Sequence, residues 1–409
     1  MKRVWIFALG LLLLSQQVSY AQLDVKGFVD TYHAARVKEP HDYLTSRTRV
    51  RLEAYADGED ASMFASFNAV KNHILPSRTG IELREAYLQY AAESWDLRAG
   101  RQIIIWGKAD GVQITDVISP LDYTEFLAQD YDDIRMPVDA LKFRYLRDQM
   151  TVELVWTPVF QSSILPVGDN PWAIGMDVPD DMEIYHEDPV VPERKLGNSE
   201  IGGKVSFYLP GIDLALSSLY TWDKFPVMNQ TLTEALDTKY LTIQPEHNRL
   251  TFVGIEFSTT YRSFVFRGES ALYTGQYFEP QDLSDGLFRK KTINWLLGVD
   301  WYPGGGWTLS AQFADFFILD YDEKIGNDRH EMQPTFSISK SLLRETLTLS
   351  TFGYVGINDS ELFNRSSVDY ELTDGLHLEA GIDFFAGDEG SFGQYKDNTE
   401  VWSKAKYSF

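Results

Sequence analysis

No cysteine occurs among the 409 residues, which removes disulfides, iron–sulfur clusters and thiolate nucleophiles together. Past residue 21 there is no run of 18 or more apolar residues, so a membrane protein built of spanning helices is excluded. Bases are scarce beside acids, 37 Lys and Arg against 60 Asp and Glu, for a formal charge of -23. A nucleic-acid partner is therefore not expected. A Gly-x-Ser-x-Gly elbow is missing, and the seven histidines form no His-x-x-x-His pair. Asp130, Asp132 and Asp133 lack the Asp-x-Asp-x-Asp-Gly spacing and closing Glu of a calcium loop. Pro303 with Gly304, Gly305 and Gly306 makes a turn, without the following Lys-Ser/Thr of a phosphate cradle. No metal, no cofactor and no enzymatic activity are expected from these residues.

What is present begins with Lys2 and Arg3, an apolar run from Val4 to Leu14, and Ser19-Tyr20-Ala21 before Gln22. This is the pattern of a cleaved export signal, too short for a retained span. Its removal at residue 21 takes two bases and no acid, moving the charge from -23 to about -25.

From Gln22 onward the chain repeats segments of about 10 residues in period-2 alternation, each closed by a turn. Leu376, Leu378, Ala380, Ile382 and Phe384 share one face, with His377, Glu379, Gly381 and Asp383 on the other. Strands are expected at 23–36, 46–57, 62–73, 80–91, 95–106, 137–147, 150–160, 200–209, 212–224, 249–260, 264–277, 291–302, 307–321, 332–342, 346–357, 366–373, 376–386 and 399–409. Every even-to-odd connection is then a tight turn, such as Asp57-Gly58, Pro210-Gly211 or Asp374-Gly375, whereas the largest odd-to-even connections are 107–136, 161–199 and 225–248. A soluble sandwich alternates too, but does not sort its loops by parity. The expected fold class is all-β, a transmembrane up-and-down antiparallel β-barrel of about 18 strands (16–18), as in outer-membrane barrels with short periplasmic turns and long outside loops. Residues 22–409 form one such barrel after the signal peptide 1–21.

The last strand ends on Phe409, with Tyr407, Ala405, Ser403 and Val401 on the same face. An aromatic C-terminus of this kind resembles the signal read by the barrel assembly machinery. Trp95, Trp156, Tyr220, Trp301, Trp307, Tyr354 and Trp402 lie near strand ends, where amphipathic rings suit the membrane interfaces.

The densest stretch runs from Arg98 to Tyr145. Gly107 and Gly111 open a long connection whose middle, Val112-Gln113-Ile114-Thr115-Asp116-Val117-Ile118, is too apolar for a freely solvated loop. The loop 107–136 is therefore expected to fold inward and narrow the bore, the alternative being a lid over its outside mouth. Asp110, Asp116, Asp122, Asp132, Asp133 and Arg135 are the candidates to line or brace that constriction, facing Arg98, Arg101, Lys142 and Arg144. The order Gly100-Arg101-Gln102, Trp106-Gly107-Lys108-Ala109-Asp110-Gly111, Asp116-Val117, Ser119-Pro120-Leu121-Asp122 and Asp132-Asp133-Ile134-Arg135-Met136-Pro137 resembles a porin-like barrel family of unknown function. That family is more loosely similar to phosphate-selective porins and alginate exporters.

Barrels of 16 to 18 strands leave an aqueous channel, so the expected function is an outer-membrane porin for passive diffusion of small hydrophilic solutes. The resemblance admits an alternative, a substrate-specific export or uptake conduit for lipidic or polyanionic cargo. It would work with periplasmic or inner-membrane transport-pump partners. Expected surroundings are outer-membrane lipid and lipopolysaccharide of a Gram-negative bacterium.

Overall fold

The computed structural model describes residues 22–126, 131–174, 182–235 and 238–409; residues 1–21, the expected signal, lie outside them. Seven strands come first: β1 Gln22–Arg36, β2 Tyr43–Asp57, β3 Ala61–Asn72, β4 Gly80–Ala91, β5 Trp95–Gln102, β6 Val138–Arg147 and β7 Met150–Thr157. After β8 (Met182–His186) follow β9 Glu200–Leu209 and β10 Ile212–Trp222, then β11 Val227–Ala235 and β12 Thr238–Glu246. The last nine are β13 Arg249–Tyr261, β14 Phe264–Phe278, β15 Phe288–Gly304, β16 Trp307–Leu319, β17 His330–Leu342, β18 Leu347–Gly356, β19 Glu361–Thr373, β20 Leu376–Ala386 and β21 Glu400–Ser408. Two four-residue helices, α1 (Tyr131–Ile134) and α2 (Gly390–Gly393), lie in connections.

Eighteen of these strands form one antiparallel sheet, each paired with its neighbour along the chain once β8, β11 and β12 are set aside. The sheet closes on itself. β1 pairs with β21 from Phe28↔Ser408 to Arg36↔Glu400 as well as with β2, and Gly27 and Phe409 exchange both backbone hydrogen bonds at 2.9 Å. Closure pairs the first strand with the last, as a sheet in hydrocarbon requires. Tight turns join the strands at one end; Gly211 (φ +85°) and Gly375 (φ +77°) take the left-handed conformation there.

The barrel is apolar outside and charged inside. On β20, Leu378 and Ile382 are 42 % and 39 % exposed, while Asp383, next after Ile382 on the opposite face, is 1 % exposed. Asp30, Glu256, Glu269, Asp300 and Glu400 are likewise buried on inward faces. A soluble fold buries the opposite set; this arrangement suits a lipid exterior and a polar bore.

All eighteen expected strands are present, with ends shifted by up to a few residues. The main differences have physical causes. β5 stops at Gln102 rather than 106, because residues 103–106 leave the wall toward the bore. The connections 161–199 and 225–248 were expected as plain loops, yet β8, β11 and β12 form a separate three-stranded sheet, with β11 antiparallel to β12 and β12 parallel to β8. Such pairing joins segments from two different loops, and no local pattern announces it.

Leu378→Arg should destabilise the folded barrel by roughly 2–4 kcal/mol near the bilayer midplane. Glu379→Gln, which faces the bore and Lys404 at 3.1 Å, should cost about 1 kcal/mol or less. Urea unfolding in lipid vesicles measures both, and equal costs would mean that the faces are misassigned. Deleting Phe409 removes two backbone hydrogen bonds from the closing seam, and the yield of heat-modifiable barrel should fall.

Candidate functional site

The chain leaves the wall after β5 and crosses the bore. Ile104, Trp106, Val112, Ile114 and Ile118 are buried, in one apolar cluster with Phe252 and Tyr273 of β13 and β14 and with Tyr354, Phe363 and Phe385 of β18 to β20. Residues that would be unstable in a solvated loop are thus placed against the far wall. Polar contacts hold the crossing. The Glu269 carboxylate accepts from the N–H of Lys108, from Ala109 N–H at 2.7 Å and from Thr115 Oγ1 at 2.8 Å. Gln312 of β16 accepts from Asp110 N–H and donates to Asp110 O, at 3.1 and 2.9 Å. Tyr273 and Tyr354 each donate a hydroxyl to a loop carbonyl, Ile114 O and Gly111 O, at 2.5 Å. Gly111 sits at φ +73°, and a Cβ there would lie 2.3 Å from Tyr354 Oη, so both backbone conformation and approach demand glycine.

Beside the crossing a cavity of about 310 Å³ remains, against β2, β3 and β4. Its wall is an arginine ladder. Arg47, Arg49 and Arg51 alternate along β2, all buried and facing inward, joined by Arg84 at a bulge of β4. The loop supplies the acids. Asp133 of α1 lies 3.0 Å from Arg49, 2.9 Å from Arg51 and 3.7 Å from Arg84. Glu125 pairs with Arg47 at 2.8 Å and Asp122 with Arg78 at 3.0 Å. Asp30 of β1 backs the ladder at 2.5 Å from Arg49. Burial pushes the Asp133 carboxyl up, but the three arginines outweigh it and hold it well below the usual carboxylate range. Asp116 is the opposite case. Burial pushes it up to about 6 although Arg135 stands 2.9 Å away.

The expected loop residues divide as follows. Asp116, Asp122, Asp133 and Arg135 meet at the ladder side, whereas Asp110 lies on the far wall, bound to Arg267 at 2.5 Å; the Asp132 side chain lies outside the described residues. The expected opposing bases are a correction. Arg98 donates to Gln89 at 2.8 Å and Arg144 pairs with Asp96 at 2.7 Å, lower on β5 and β6. Lys142 stands opposite Arg98 in register. Arg101 shares the outward-facing register of β5 and lies 3.7 Å from Asp139. Arg101 still lines the cavity that the loop acids share, but among the described residues none of the four is paired with a loop acid, because the loop turns toward β2 to β4 rather than back along its own strand. Arg47, Arg49, Arg51, Arg84 and Glu125 were missed, although three arginines at spacing two in one expected strand are a readable signal.

The sequence profile described as "Protein of unknown function (DUF1302)" matches residues 76–390, which contain the crossing loop and every strand from β4 to β20. This chain belongs to the DUF1302 family. The DUF1302 match leaves out β1 and β2, and so the three ladder arginines of β2. No curated protein matches the chain. Among solved structures it is similar to OmpF of Salmonella typhi in complex with daunomycin, at 10% identity and TM-score 0.47 over 95% of this chain and 98% of that one. It is also similar to the Vibrio cholerae outer membrane protein OmpT in its trimer form, at 9%, 0.49, 96% and 100%. The outer membrane channel DcaP of Acinetobacter baumannii stands at 10%, 0.47, 96% and 99%.

Asp116 binds its proton more tightly in the docked loop than in water, so docking gains stability as pH falls below about 6 toward the ordinary carboxylate range, and loses that gain above it. The difference is worth at most about 3 kcal/mol. Amide exchange of residues 112–118, corrected for the intrinsic rate, should therefore be slower at about pH 5 than at about pH 7, and Asp116→Asn should flatten the difference.

Proposed function

We propose that this DUF1302 barrel is a non-enzymatic outer-membrane channel for small hydrophilic solutes, its passage confined to the side of the arginine ladder. The carrying observation is the cavity of about 310 Å³ between the crossing loop and β2 to β4, lined by arginines on the wall and carboxylates on the loop. The apolar cluster packs the loop against β13, β14 and β18 to β20. A solute in the passage lies within a few ångströms of fixed charges of both signs, well inside the Debye length of about 8–10 Å. Polar and charged solutes of small size fit that field; bulky ones do not fit the volume.

The second reading is a substrate-specific conduit that opens with transport-pump partners, favoured by the apolar packing and hydrogen bonds that pin the loop. In either reading the chain is exported through its signal peptide, assembled through Tyr407 and Phe409 by the barrel assembly machinery, and surrounded by lipid and lipopolysaccharide.

Reconstitution of residues 22–409 in a planar bilayer tests the choice. The channel reading expects small, stable conductance steps, a shift of reversal potential toward anions for Asp133→Asn in a salt gradient, and larger steps once residues 112–124 are deleted. A silent bilayer that conducts only after the deletion supports the conduit, and silence in both overturns the channel.

A further inference from the structure

One stretch of the barrel wall combines an unpaired strand edge with a charged pair on the outward face. β4 and β5 share only the pairs from Ala86↔Arg101 to Ala91↔Asp96, although β4 continues upward to Gly80 and remains paired with β3 throughout. Among the described residues, no strand pairs with the other edge of residues 80–85. The two strands part above the pair Ala86↔Arg101. β4 carries its bulge at Arg84, between Leu83 and Glu85, and β5 turns at Gly100, whose φ is +135° and whose added Cβ would lie 2.3 Å from Ala86 O. Bulges and strand glycines of this kind re-aim a strand.

The gap has polar furniture. Arg101 donates through Nε to Leu83 O at 3.2 Å, and Ile103 N–H donates to Glu85 at 2.8 Å. Arg101 and Asp139 form a charged pair on the outward face, six residues above Trp95 of the lower aromatic girdle. At about 3.3 Å per residue and a tilt near 45°, that is roughly 14 Å up an apolar band about 25 Å tall. A charged pair and a free sheet edge at that height are not tolerated against lipid tails; they belong beside water or a polar head group. Ile81, just above on β4, is 83 % exposed. Behind the gap lies the arginine-lined cavity, whose lining includes Glu82, Arg84, Arg101, Met136 and Pro137 from the rim itself, and six arginines against four carboxylates in all.

We propose that this gap is a lateral portal through which an anionic amphiphile, a carboxylate or phosphate head on an acyl chain, passes between the surrounding lipid and the bore. The head enters among Arg101, Arg84 and the ladder while the tail stays along Ile81 and Leu83. Route and cargo both differ from axial diffusion of small solutes, and the portal stands whether or not the bore conducts ions.

Because the chain has no cysteine, a single thiol can be placed at will. Residues 22–409 carrying Ile81→Cys or, on the opposite sector, Leu378→Cys are labelled with bimane and reconstituted in phosphatidylcholine vesicles. Nitroxide-bearing stearate and its methyl ester are then titrated in alkaline buffer. The portal expects saturable quenching at position 81, about tenfold tighter for the acid than for the ester, as one or two charged hydrogen bonds supply. It also expects weak and equal quenching by both at position 378, and loss of the acid's advantage in Arg101→Gln but not in Arg101→Lys. Equal quenching of both positions by acid and ester makes the gap ordinary lipid contact and overturns the proposal. So does oxidative self-crosslinking of unlabelled Ile81→Cys protein into dimers, which would mean that a second copy covers the gap.

Discussion

Hydrocarbon offers no hydrogen-bond partner, and most of this structure follows from that. A sheet can cross a bilayer only if its first and last strands pair, and here β1 and β21 do so over nine residues in register. Closure then divides every strand into a face toward lipid and a face toward the bore. The outward face has to be apolar. The inward face is free to carry charge, and it carries a great deal.

Those inward charges are what the crossing loop uses. Acids of the wall, Glu269 above all, take up backbone N–H groups that a buried loop would otherwise leave unpaired. Acids of the loop, Asp133 above all, neutralise arginines of the wall that no strand neighbour could satisfy alone. Removing one member of such a buried set strands its partner and costs several kcal/mol. The cavity beside the loop is therefore narrow and lined by fixed charge for the same reason that the loop stays in place.

The same constraint makes the gap beside β4 conspicuous. Here two strands part beside a bulge of one and a glycine of the other, and charge appears on the lipid-facing side. Each unpaired backbone group there has to be met by water, by a side chain or by a ligand.

The eighteen strands were legible because alternation and loop parity are local and repeated many times, as with Leu378, Ile382 and Phe384 against Glu379 and Asp383. The apolar run from Val112 to Ile118 likewise announced a segment seeking burial. Position across the bore was another matter. That Asp133 meets Arg49, Arg51 and Arg84, that Asp110 meets Arg267 on the far wall, and that β8 joins β12 all depend on contacts between residues far apart in the chain. Period-2 patterning says which face a residue takes, but not which strand stands opposite it once the sheet has closed. The sequence by itself thus determined the barrel, its sidedness and the burial of the loop, because each rests on nearest-neighbour physics. Only the tertiary structure decided which charges share the cavity, because that depends on the circumference of the closed sheet and on where the loop lands.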